Sequence, residues 1–416
     1  MKMSLRTDRT LLRATARSTR YLMISLTAPI APPRDGRLPI HVGIVLDRSG
    51  SMDGARKFAL AAEAVSQALR LLRPQDRFTL VVYDTAVDVL SRSTLATEDA
   101  KRMALQRLSD VGPRGGTDLY AGWMSAATQM LEHLSRENVN RVLLLTDGLA
   151  NSGITEPSAL VTAASDLRQR GIATTTFGVG DDFDERLLRE IAHESGGQFY
   201  FIATPRQIPD LLTSELGEAL EIVHRDAVVQ VTLPPGVECE LLNRYRSAQA
   251  AGDNTLRVQV GDVTSGQELL LVVRLTFPED REGVTTGVRV SIVGADAAEQ
   301  EVSWRYDTHA MNDAQPRDRG VDREVAMLYA ARARAAATEA NREGDFRRAR
   351  AVLEATSKRI RHYAHDDAEL GQLWRELQAQ EETFGMVHMS ARELKESVHV
   401  NEMRSRNRDA QGKARR

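Results

Sequence analysis

Ile40-His41-Val42-Gly43-Ile44-Val45-Leu46-Asp47-Arg48-Ser49-Gly50-Ser51-Met52 runs from a strand-like stretch into a polar turn. The continuous apolar run at Ile44-Val45-Leu46 suits a central strand covered on both faces. Asp47, Ser49 and Ser51 then bring one carboxylate and two hydroxyls at alternating positions, just ahead of a helical pattern. That order places the polar residues at the carboxyl edge of a parallel sheet, where open α/β sheets hold their ligands. Gly50 lets the backbone turn tightly enough for the three oxygens to converge.

Outward from this string, residues 38–220 alternate short β-rich runs with longer helical ones. Strands are expected at 40–46, 77–83, 87–90, 141–145, 172–179 and 198–202. Helices are expected at 55–72, 97–109, 119–134, 157–170, 185–194 and 207–220. The alternation predicts a Rossmann-like α/β domain, a mainly parallel sheet flanked by helices on both faces. Beyond residue 221 the helical period stops. Strand-like runs at 228–233, 238–242, 256–260, 269–277 and 287–293, with turns such as Pro234-Pro235-Gly236 between them, predict a small antiparallel β-sandwich over 221–307. From 319 to 389 the pattern is helical again, with Gly344 as a stop between two Ala- and Arg-rich helices, so a helical bundle or hairpin is expected. Residues 390–416 lose apolar periodicity and carry Arg404, Arg406, Arg408, Lys413, Arg415 and Arg416, which reads as a basic, flexible, solvated tail.

The first 37 residues combine a loose basic stretch (1–20), a strand-like run and a Pro/Gly linker at Pro29, Pro32, Pro33 and Gly36. Ser25, Thr27 and Pro29 interrupt the apolar run after the basic residues, which favours a folded strand over an export signal. This strand is expected at an edge of the sandwich, which would make 38–220 an insertion. The whole chain has 416 residues, 42% hydrophobic and 27% charged, the balance of a soluble globular protein of more than one domain. A net charge of -3 gives no basic field for nucleic acid, and none is expected as a partner. No segment reaches the length of a membrane span. The single Cys239 excludes an intrachain disulfide framework and suits a reducing, cytoplasmic setting.

Two further loops complete the polar set. Gly115-Gly116-Thr117-Asp118 precedes a helix and supplies a third hydroxyl; Leu145-Thr146-Asp147-Gly148 ends an apolar strand and supplies a second carboxylate. A set made only of oxygen donors suits Mg²⁺, with Mn²⁺ or Ca²⁺ as substitutes, and argues against Zn²⁺. Each residue taken singly serves equally well as a helix cap; it is the agreement of three loops that points to a metal. Asp118 reads either as a group supporting Thr117 or as the cap of the next helix.

These residues resemble the metal-ion-dependent adhesion site of von Willebrand factor A domains, the family that includes integrin I domains. Asp-x-Ser-x-Ser falls on Asp47, Ser49 and Ser51, the family threonine on Thr117 and its distal aspartate on Asp147. The resemblance implies a non-enzymatic module in which a partner protein's Asp or Glu carboxylate completes the metal's coordination. It also implies that the distal aspartate often acts through water, and that the domain's last helix, here 207–220, shifts when ligand engages. The flanking regions look like bacterial proteins carrying this domain centrally, which implies work within a multiprotein assembly or signalling system.

Other readings are weaker on the residues. An aspartate ending a strand also opens haloacid dehalogenase-type phosphotransferases, but the general acid expected two residues later is Ser49 here. No Gly-x-x-x-x-Gly-Lys-Ser/Thr phosphate loop and no Gly-x-Ser-x-Gly elbow is present around these serines. His362 and His365 have helical spacing but no third ligand. The remaining alternative is a metal-indifferent scaffold acting through the C-terminal helices.

Overall fold

Two units divide the chain: Ala31–Val223, and the flanking segments Met1–Ile30 with His224–Arg416. The computed structural model describes residues 1–30, 37–135, 137–250, 252–293, 299–364, 367–409 and 412–416. Pro32, Pro33, Gly36 and His365 therefore lie outside the described residues, as does the side chain of His362.

In chain order the first flanking segment carries β1 (Lys2–Thr7), β2 (Leu11–Arg13) and β3 (Ser18–Thr27). The central unit follows with β4 (Ile40–Asp47), a 3₁₀ turn at Gly50–Arg56, α1 (Lys57–Leu71), β5 (Arg77–Tyr83), β6 (Val87–Leu95), α2 (Glu98–Ser109) and α3 (Leu119–Leu131). It continues through β7 (Val139–Thr146), α4 (Pro157–Gln169), β8 (Ala173–Val179), α5 (Glu185–Ser195), β9 (Phe199–Ile202) and α6 (Ile208–Ala219).

Its sheet has the order β6-β5-β4-β7-β8-β9, parallel except for β6. The α/β prediction is met, and the sheet is buried on both faces. Ile40, Val42, Ile44 and Leu46 of β4 join Phe58, Ala61, Val65, Leu212 and Leu216 in one core. Val45 points the other way, into a second core with Trp123, Ala126, Met130, Leu160 and Ile191. Such alternation is the two-residue period of a strand between helical layers. Gly122 is what lets α3 lie close: a Cβ there would come within 2.5 Å of the Tyr83 ring.

The second flanking segment supplies β10 (Ile222–Thr232), β11 (Glu238–Leu241), β12 (Arg246–Ala248), β13 (Thr255–Thr264), β14 (Glu268–Phe277), β15 (Thr285–Val293) and β16 (Glu299–Asp307). With β1 to β3 they make two sheets, β1-β3-β14-β11 and β12-β13-β10-β15-β16-β2. Phe277 of the first packs on Trp304 of the second, with ring centroids 5.1 Å apart. The pairing is not purely antiparallel, because β2 runs parallel to β16.

Three expectations for this unit need correction. Residues 1–20 are not loose, because their charges are used structurally. Buried Arg20 donates to Leu11 O and Asn312, and Arg6 Nε donates to Asp318 at 2.9 Å. The strand after them, β3, is no edge strand, since β1 pairs one side and β14 the other. The C-terminal stretch is no flexible tail either. After α7 (His309–Ala314), α8 (Arg319–Arg342), α9 (Phe346–Ala364) and α10 (Ala368–Met386) comes α11 (Ala391–Ser405). Beyond α11, Arg406 and Arg408 are buried, Tyr245 Oη donates to Arg406 O at 2.9 Å, and Glu268 N donates to Arg415 O at 2.8 Å. No helix among the described residues is long and apolar enough to cross a membrane.

Candidate metal-binding site

The carboxyl ends of β4 and β7 lie side by side, since Leu46 pairs with Leu145, and this sets Asp47 beside Thr146 and close to Asp147. Asp47 is fully buried. Its Oδ1 accepts from Ser49 N at 2.7 Å, and its Oδ2 accepts from Thr146 Oγ1 at 2.6 Å. Ser49 Oγ lies 3.0 Å from Ser51 Oγ, which donates to Asp147 Oδ1 at 2.6 Å. Four of the five expected residues thus form one hydrogen-bonded chain. Thr117 is the fifth. Its hydroxyl approaches Gly148 from the flank that Ser51 Oγ also approaches, and it has no hydrogen-bond partner among the described residues. Of the five, Ser51 alone is exposed, so the cluster opens to the surface there.

Backbone hydrogen bonds hold the three loops together. Gly50 N donates to Gly115 O at 3.1 Å, Arg114 N to Arg48 O at 2.7 Å, and Asn151 N to Thr117 O at 3.1 Å. Asn151 Oδ1 returns the last contact by accepting from Thr117 N at 2.8 Å. The structure places Asp118 as the cap of α3, accepting from Ala121 N at 2.9 Å. Gly153, at φ +67°, leaves room for that carboxylate, because a Cβ would stand 2.2 Å from its Oδ2.

The charges are crowded. Burial raises the Asp47 carboxyl to about 6, and the negative field of Asp147 adds to the rise while the bonds from Thr146 and Ser49 oppose it. Asp147 is countered by Lys57, whose Nζ lies 2.5 Å from Oδ2. Beside the cluster, buried Arg48 pairs with Asp84 at 2.8 Å and also with Asp88, and exposed Arg114 pairs with Asp84 at 2.8 Å. Although burial works the other way, Arg114 and Arg48 hold the Asp84 carboxyl below its ordinary range. Lys57, Thr146, Arg48 and Asn151 were not anticipated. Thr146 was legible, since a residue that ends one strand neighbours the residue that ends the strand beside it. Lys57 reads in sequence as an ordinary helix-surface lysine.

The residues fit a hard cation. Among the described residues, no group of three or more His, Cys, Asp and Glu is placed to hold a metal. The cluster is of another kind, two carboxylates and three hydroxyls. Tyr83, fully buried on β5, supports the fit. Burial first and the nearby Asp47 next raise its hydroxyl, while Asp147 and Asp118 add to the negative field. Thr146 lies beside that hydroxyl but gives its hydrogen bond to Asp47, so the Tyr83 oxygen is left without a partner. A buried hydroxyl left unpartnered beside Asp47 leaves the cluster one hydrogen-bonding partner short, a place that a bound group or water would fill.

Comparison with known proteins bears on the domain and its fold. Residues 41–214 match the sequence profile of the von Willebrand factor type A domain. The chain is 27% identical over 237 residues to the uncharacterized protein YfbK of Escherichia coli, covering 56% of this chain and 41% of that protein. It is 26% identical to the uncharacterized protein sll0103 of Synechocystis, covering 62% of each. It therefore spans less than two thirds of the length of either relative. The solved von Willebrand factor type A protein from Catenulispora acidiphila superposes with a TM-score of 0.69 at 18% identity, over 89% of this chain and 88% of that one. At that identity the likeness is one of fold.

Proposed function

Because the chain carries a von Willebrand factor type A domain over residues 41–214, we propose that it is a metal-dependent protein-binding module. Domains of this type mediate protein–protein interactions, often through a metal. Asp47, Ser49, Ser51, Thr117 and Asp147 would hold the ion, with Mg²⁺ favoured and Mn²⁺ or Ca²⁺ as substitutes. A divalent ion there offers an open coordination position to an Asp or Glu carboxylate of the partner.

The observation that carries this reading is the hydrogen-bonded chain from Asp47 through Ser49 and Ser51 to Asp147, with the unpartnered Thr117 hydroxyl beside it. Thr146 and Ser49 N fix both oxygens of Asp47, and Lys57 fixes the far oxygen of Asp147, so neither carboxylate rotates freely. Only two carboxylates belong to the set, enough to neutralise a divalent ion without repelling an incoming anion. Leu149 and Ile154 are exposed on the loop that begins at Asp147-Gly148, and would give a partner apolar contact beside its carboxylate. We place the activity in binding rather than catalysis, since Ser49 stands where a phosphotransferase carries its acid.

Capture of partner from native extract, run with Mg²⁺ and again with chelator, tests the proposal. Capture that depends on Mg²⁺ and is lost in Asp47→Ala supports it. Equal capture with and without chelator would favour a scaffold acting through the C-terminal helices.

A further inference from the structure

The helical part of the unit Met1–Ile30 with His224–Arg416 contains a cleft lined by two guanidinium groups, one of which has no protein partner among the described residues. It has a volume of about 390 Å³ and is walled by α8, α10 and the α10–α11 connection with α11, which bring Arg334, Glu376, Phe384, Met389, Val400 and Arg404 to it. That volume lies within the range of small-molecule sites. The three glutamates on its walls are all engaged. Glu376 accepts from Gln372 Nε2 at 3.1 Å and Arg334 Nη2 at 3.2 Å. Glu393 accepts from Ser390 N at 2.8 Å and Ser390 Oγ at 2.7 Å, and Glu396 accepts from Arg392 Nε at 3.1 Å.

The cations are not used up. Arg334, only 7% exposed, donates Nε to Gln380 at 2.8 Å and Nη2 to Glu376, which leaves Nη1 without a partner among the described residues. Arg404 makes no ion pair and no side-chain hydrogen bond among the described residues, and it also borders an adjoining hollow of about 140 Å³. Buried Glu324 feels the fields of Arg415 and Arg404, but desolvation raises its carboxyl and it pairs with neither. Burial, then the like charge of Arg404, lowers the Arg334 guanidinium. Two guanidinium groups that repel one another on a partly desolvated wall are stabilised most by an anion between them.

We propose that this cleft binds a small anionic amphiphile, its carboxylate or phosphate held by Arg334 and Arg404 and its apolar stem resting on Phe384, Met389 and Val400. Asn341 makes the apolar wall rigid: its Nδ2 donates to Phe384 O and Val387 O at 2.9 Å each, and its Oδ1 accepts from Met389 N at 3.0 Å. Arg404, having no protein partner, can be changed without breaking an ion pair.

The test is calorimetric titration of the full chain, carrying Asp47→Ala and in metal-free buffer so that the sheet-edge site takes no part. The probes are octanoate, octyl phosphate and octan-1-ol. Octanoate or octyl phosphate should saturate one site, and whichever binds tighter identifies the head group. Octan-1-ol should bind at least about tenfold more weakly, and Arg404→Gln should weaken the anion by a similar factor. Arg404→Lys should restore part of the loss. Equal binding of the alcohol, an unchanged Arg404→Gln, or no saturation below about 10 mM would overturn the proposal.

Discussion

The sheet edge at Asp47 and the cleft at Arg404 depart from the same rule in opposite directions. Buried charges in proteins are normally matched by neighbours. At the sheet edge Asp47 and Asp147 face a single lysine, and burial pushes the Asp47 carboxyl up. In the cleft the three carboxylates are hydrogen-bonded within the protein, and the Arg404 guanidinium has no protein partner among the described residues. Some other buried charges among the described residues are balanced internally. Buried Glu215, for example, accepts from Arg141 at 2.6 Å, from Thr175 at 2.7 Å and from Tyr200 at 2.7 Å. A charged group left without a protein partner at a cluster or cleft therefore marks a place where an external ion can be tested for.

The strongest way to break this comparison is at Asp47. Asp47→Ala should lower Mg²⁺ affinity at least about a hundredfold by calorimetry, because it removes a ligand rather than a supporting group. Its metal-free melting temperature should not fall, since the substitution also relieves a desolvated charge. Wild-type Mg²⁺ affinity in the variant would refute the site.

His41, at the far end of β4, shows the other way a buried group escapes imbalance, by losing its charge. Burial, with the positive fields of Arg77 and His133, lowers its imidazole from 6.5 to about 4, and Ser93 Oγ lies 3.1 Å from Nε2. The unfolded chain takes up the proton first. Stability should therefore be complete above about pH 6.5 and should fall by up to about 3 kcal/mol as the pH drops toward 4. Urea unfolding at several pH values checks this. The part of the slope due to His41 should vanish in His41→Leu, and an identical slope in that variant would rule the group out.

Lys57 sharpens the comparison from the cation's side. Lys57→Met should tighten Mg²⁺ about tenfold, because Asp147 loses a rival positive charge. Weaker binding would instead identify Lys57 as the group that orients Asp147. The smallest effect is expected in the wall of the cleft. Ser390→Ala, which opens the capping box of α11, should cost about 1 kcal/mol and raise hydrogen exchange over 391–405. Unchanged exchange there would show that packing alone holds the helix.

The central unit was the most legible part because its strands are continuous apolar runs and its polar residues stop them abruptly. Leu46-Asp47 and Leu145-Thr146-Asp147 announce sheet ends without any knowledge of the fold. The flanks were misread for a shared reason: arginines were taken as markers of solvent. Arg20, Arg406 and Arg408 are buried, and Arg20 and Arg406 are tied to Asn312 and Tyr245, groups distant in sequence. No local pattern reports a partner that far away. The start of α11 was legible nonetheless, in Ser390-Ala391-Arg392-Glu393, a capping-box spacing overlooked within a charged segment. In the site, the donor residues could be read from motif spacing, whereas Lys57 and the orphaned Tyr83 hydroxyl depend on side-chain direction, which spacing does not encode.

The pairing of β3 with β14 also sets a timetable for biosynthesis. Leu22, Ile24 and Leu26, already paired with β1, find their β14 neighbours only when residues 268–277 have been made. At ordinary translation speeds that is a delay of roughly ten to fifty seconds. Meanwhile the whole central unit emerges with every strand of its sheet at hand, so it can mature while the first hairpin waits with an apolar edge uncovered. A nascent chain stalled just after residue 223 should thus display a protease-resistant core beside a protease-sensitive leader.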